Sequence, residues 1–214
     1  MRGMCPETDP DLDFEREAAH PAAAGRATSP NLVLVGPMGS GKTSIGRRLA
    51  DRFGLAFVDV DREIEARTGA SINTIFECEG EAGFRARERA TLAELFDGGR
   101  TTVIATGGGA VLDAATRALL HARGFVVHLH VSVEQQLARL ARDRTRPLLA
   151  GPDREAVLRR LAVAREPLYV EASHLRFDTD ALTTAEAAAR LGSLLDIRWR
   201  QAPGQGPAPH ETPA

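Results

Sequence analysis

Lys42 is the only lysine of this chain and stands against 26 arginines. It falls within Gly36-Pro37-Met38-Gly39-Ser40-Gly41-Lys42-Thr43, which fits the pattern G-x-x-x-x-G-K-[ST]. An ammonium is a compact point charge that fits among phosphate oxygens inside a tight backbone loop, where a planar guanidinium would collide with that loop. The glycines let backbone N–H groups wrap phosphates, Lys42 reaches the terminal phosphates, and Thr43 offers its hydroxyl to Mg²⁺. A helix opening at Gly41 adds its positive end. Gly36, Gly39, Ser40, Gly41, Lys42, Thr43 and Ser44 are therefore the expected nucleotide-binding set, with Mg²⁺ beside the phosphates.

A phosphate-binding loop alone does not separate a kinase from a nucleotide switch or a motor, so other residues must decide. Asp59 and Asp61 end an apolar run and should project toward the open carboxyl edge of a sheet, where ligands of such folds bind. One carboxylate could hold a metal's water shell while the other accepts a hydroxyl proton; alternatively Asp61 caps a helix and Asp59 is solvated. Gly107, Gly108 and Gly109 in a row cost chain entropy unless the backbone must approach a ligand or make a tight turn. Arg85, Arg146 and Arg165 each stand outside a plain polar helix face: after Phe84, before Pro147, and before Glu166-Pro167-Leu168-Tyr169.

The elements that must position these residues are legible as alternation. Apolar runs at 32–35, 56–59, 102–105, 125–129 and 175–178 read as strands, and the segments between them carry helical patterns. Helices are expected at 41–53, 61–68, in pieces across 71–96, through Leu119 and Leu120, after a Ser132 cap, over 154–165, and from Thr183, where Thr183-Thr184-Ala185-Glu186 has capping-box spacing. Trp199 reads as a core anchor. The fold class is α/β, a five-stranded parallel sheet flanked by helices. Residues 142–152 are dense in charge, proline and glycine and read as a mobile lid. Residues 1–29 and 200–214 read as disordered tails around a domain at 30–199.

Composition narrows the class further. The 214 residues carry 43% hydrophobic residues, enough for one ordinary core. A net charge of −2 argues against a general nucleic-acid partner. No apolar run is long enough to span a bilayer, and the first thirty residues lack a basic start with an apolar core, so no membrane association is expected. Cys5 and Cys78 are too few for a disulfide framework, which makes a cytoplasmic setting natural and an ordinary thiol the expectation for Cys78.

Taken together, the motifs between about residues 31 and 195 resemble the shikimate kinases, P-loop kinases related in fold to nucleoside monophosphate kinases. The resemblance rests on residues 36–43, Asp59-Val60-Asp61, Gly69-Ala70-Ser71-Ile72, Ile75-Phe76, Gly80-Glu81 with Phe84-Arg85, residues 107–109, Arg146-Pro147-Leu148-Leu149 and residues 165–169. It implies a three-layer fold with a mobile lid, and ATP-dependent phosphorylation of the 3-hydroxyl of shikimate on the route to chorismate. By that resemblance Asp61 binds the reacting hydroxyl as base or orienter, and Asp59 holds Mg²⁺ through water beside Thr43. Arg85 and Arg165 clamp the shikimate carboxylate, Glu88 orients Arg85, and residues 107–109 line the substrate. Arg146 closes onto the ATP phosphates, Arg139 lies beside the adenine, and the family favours a monomer. Leu140 departs from the threonine common after that arginine. A gluconate-type kinase and a non-catalytic ligand sensor are the competing expectations; the second would be expected to lack Lys42 or Asp61.

Overall fold

The computed structural model describes residues 31–141 and 153–199. Arg146, the expected lid at 142–152 and both expected tails lie outside the described residues.

Five strands, β1 (Asn31–Val35), β2 (Ala56–Asp59), β3 (Thr102–Ala105), β4 (Gly124–His130) and β5 (Leu175–Asp178), form one all-parallel sheet in the order β2-β3-β1-β4-β5. Among the described residues seven α-helices connect and flank them: α1 (Lys42–Phe53), α2 (Val60–Thr68), α3 (Ile72–Asp97), α4 (Ala114–Arg123), α5 (Val133–Leu140), α6 (Arg154–Ala172) and α7 (Thr184–Arg198). Alternation along β1 explains the layers. Leu32 and Leu34 face a core with α1 and α7 that includes Leu49, Leu191 and Trp199, whereas Val33 and Val35 face one built with α2, α3, α4 and α6. Both faces of the sheet are thus covered, as parallel sheets require. Trp199 meets Phe53 edge-on, centroids 5.3 Å apart, which bears out its role as a core anchor.

Two local outcomes differ from the sequence expectation, and a third follows it. Helix α6 does not stop near residue 165 but runs through Pro167 to Ala172. A proline there removes only the bond to the carbonyl of Val163, whose residue is exposed, and buried Tyr169 and Ala172 hold the continuation in the core. Helix α3 is in two pieces, as its sequence suggests, broken by Gly80 at φ 71°, ψ −178°, and Arg87 grips Glu79 through two 2.7 Å bonds across the break. Cys78, expected as a thiol, is disulfide-bonded, so the cysteine argument for a reducing setting is withdrawn. Among the described residues no helix is long and apolar enough to cross a membrane.

Candidate active site

From the carboxyl end of β1 the chain leaves toward β2, and from that of β3 it leaves in the opposite direction toward β4, which opens a crevice between these two adjacent strands. The phosphate loop follows β1, and residues 107–109 follow β3 at the same level, since Thr106 N–H donates to Leu34 O at 3.1 Å. A cleft of about 820 Å³ runs from there to the start of α7.

Gly36, Gly39 and Gly41 all have positive φ, at 144°, 79° and 92°. At Gly36 a side chain would also overlap the carbonyl of Leu129, so the turn is open to glycine alone. Lys42 donates to Gly36 O at 2.7 Å and Pro37 O at 2.9 Å, which lodges the ammonium within the loop it serves. Ser40 is fully buried, and its hydroxyl has no hydrogen-bond partner. Gly39, Ser40, Gly41, Lys42, Thr43 and Ser44 line the cleft.

Thr43 Oγ1 donates to Asp59 Oδ2 at 2.7 Å, joining the loop's helix to the end of β2. These are hard oxygen donors that suit a magnesium ion retaining most of its waters and phosphate ligands, so the residues fit such an ion. The cap of α2 belongs to Asp59, whose other oxygen accepts from Arg62 N–H at 3.5 Å, and not to Asp61. Asp61, in the first turn of α2, therefore turns to the glycine loop: a side chain at Gly107 would come within 2.7 Å of its carboxylate and 3.1 Å of Glu88.

The two arginines from α3 and α6 flank that loop. Arg85 donates to Glu88 at 2.6 Å, and its guanidinium fills the space a side chain at Gly109 would need. Arg165 donates to Gly108 O at 3.1 Å from the other side. Glu88 is 0% exposed, and one of its oxygens has no partner. Burial pushes its carboxyl up to about 7 against the pull of Arg85, and Asp61 pushes the same way as burial. Arg139 ties the phosphate loop to the turn after β5, donating to Gly39 O at 3.0 Å, Thr179 Oγ1 at 3.1 Å and Thr179 O at 2.6 Å.

Every sequence-derived site residue among the described ones lines this cleft except Gly36, which shapes the loop behind it, and Glu88, which lies buried against Arg85. Tyr169, which has no role by sequence, shares the Gly108 carbonyl with Arg165 at 2.6 Å. Only its spacing from Arg165, one helical turn, hinted at it. Leu182, Thr184 and Ala187, which also line the cleft, carry no chemical signal in the sequence.

Phosphate loop, sheet order and an arginine-flanked glycine loop in the same cleft together define a P-loop kinase acting on a small molecule. The family model described as shikimate kinase matches residues 38–196. The shikimate kinase of Stenotrophomonas maltophilia strain K279a is 58% identical over 173 residues, covering 81% of this chain and 96% of that protein. That of Xanthomonas campestris pv. campestris strain 8004 is 55% identical over 172 residues, covering 80% and 95%. A solved shikimate kinase from Acinetobacter baumannii in complex with shikimate superposes with a TM-score of 0.74 at 48% identity, covering 78% of this chain and 93% of that one. The chain belongs to the shikimate kinase family.

Proposed function

We propose that this enzyme transfers the γ-phosphoryl group of ATP to the 3-hydroxyl of shikimate, releasing ADP and shikimate 3-phosphate, as a cytoplasmic monomer. One observation carries the proposal. A phosphate loop with its lysine inside lies across one crevice from two arginines that flank a glycine loop, and Asp61 adjoins that loop. A phosphoryl group in flight needs positioning and charge neutralisation more than covalent help.

In this account the loop from Gly36 to Ser44 and Lys42 hold the β- and γ-phosphates, and Arg139 borders the nucleotide's base. Arg85 and Arg165 grip the shikimate carboxylate in the planar manner guanidinium allows, which directs the ring's hydroxyls toward Asp61. As the 3-oxygen bonds to the γ-phosphorus and the bond to the β–γ bridging oxygen breaks, the hydroxyl proton passes to Asp61. Thr43 and, through water, Asp59 would hold a magnesium ion, which would supply neutralisation of the phosphate charge. Arg146 is assigned to the phosphates as well.

Purified protein with ATP and Mg²⁺ is expected to release ADP with shikimate and none above background with gluconate, read by a coupled assay. Release with gluconate alone, or with neither, would sink the assignment.

A further inference from the structure

Gly108 O accepts two hydrogen bonds from α6, one from Arg165 Nη1 at 3.1 Å and one from the Tyr169 hydroxyl at 2.6 Å. A carbonyl has two lone pairs and can satisfy both donors. The donors differ in kind. Arg165 carries a long side chain that lines the cleft, whereas Tyr169 is 2% exposed. Its ring stacks on His128 of β4, with centroids 4.9 Å apart and planes 21° apart.

His128 is itself fully buried, and neither ring nitrogen has a hydrogen-bond partner. Burial is the main cause holding its imidazole down at about 4, so it is a neutral, flat platform at ordinary pH. It pairs in register with Val35, the residue before Gly36, so the platform is continuous with the root of the phosphate loop. Burial likewise pushes the Tyr169 phenol up to about 12, which keeps it a donor throughout the working range.

We infer that Tyr169 is a positioning residue: it holds the Gly107 to Gly109 loop by the Gly108 carbonyl while Arg165 exchanges that carbonyl for the carboxylate of the acceptor substrate. The inference rests on the assignment of Arg165 to the carboxylate. A guanidinium gains more from a carboxylate than from a neutral carbonyl, so substrate draws Arg165 away. Without a second donor, the exchange would leave Gly108 O without a protein donor, and substrate binding would bear that loss.

Tyr169→Phe keeps the ring on His128 and removes only the hydroxyl. In full-length enzyme it is expected to raise KM for shikimate about 5- to 10-fold, the scale of one lost hydrogen bond, with KM for ATP within about twofold of wild type. A second readout needs no substrate. Either donor alone satisfies Gly108 O in the free enzyme, so Tyr169→Phe with Arg165→Ala should lower the melting midpoint by more than the two single shifts added. Unchanged KM for shikimate, equal rises in both KM values, or strictly additive midpoint shifts would each overturn the inference. If the wild type itself fails to use shikimate, the carboxylate assignment falls and the exchange falls with it. If the wild type is active and Tyr169→Phe behaves like it, only the exchange falls.

Discussion

Lys42 shows what a single residue can disclose: its type is required by the space within the loop, and its ammonium indeed sits against Gly36 O and Pro37 O. Asp59 and Asp61 were legible as a pair but not in their division of labour. The capping duty of Asp59 depends on where α2 begins, one residue earlier than the pattern suggests. Glu88 entered through the family resemblance alone, because nothing in its neighbourhood announces that a glutamate on α3 is fully buried. Its consequence is a pH dependence of stability. Its pKa is raised by burial from 4.5 to about 7, so the folded chain holds that proton more tightly than the unfolded chain. The contribution is complete below about pH 4.5 and is lost as pH rises through about 7. Over that window Glu88 should remove on the order of 3 kcal/mol of stability. Glu88→Gln should flatten the slope, read by denaturant unfolding at several pH values between 4.5 and 8; parallel curves for variant and wild type would contradict this.

Elements were the most legible level, because five apolar runs and the caps between them follow directly from parallel-sheet burial. β5 and the Thr183 capping box stand where the pattern puts them. What escaped is tertiary. Pro167 marks a helix end by local rule, yet α6 continues because Tyr169 and Ala172 gain burial beyond it. That continuation brings Tyr169 to the glycine loop. The loop itself offers a test at this scale. Gly109 has φ −104° and ψ 0°, a conformation alanine tolerates, so Gly109→Ala should fold. Its methyl would take the space of the Arg85 guanidinium. KM for shikimate should rise at least about tenfold through displacement of this charged partner, while KM for ATP stays near wild type. A wild-type KM for shikimate would remove Arg85 from the clamp.

At the scale of the whole molecule, the order β2-β3-β1-β4-β5 sets two differently built loops side by side at one sheet edge. Neither loop alone specifies a kinase; their adjacency lets a phosphate chain and a carboxylate-bearing acceptor meet. Sequence could propose the parallel sheet but not that adjacency, which requires strand order. Arg146 and the segment 142–152 lie outside the described residues, so the lid reading rests on composition and the role of Arg146 on the resemblance. The reaction is defined by which bond is made, and phosphorus-31 NMR of the product with proton correlation reads that bond. Incubation with ATP, Mg²⁺ and shikimate should yield one new phosphomonoester, coupled to the proton on carbon 3, in step with ADP. A phosphoester at another ring oxygen, or ADP without any phosphorylated shikimate, would contradict the account.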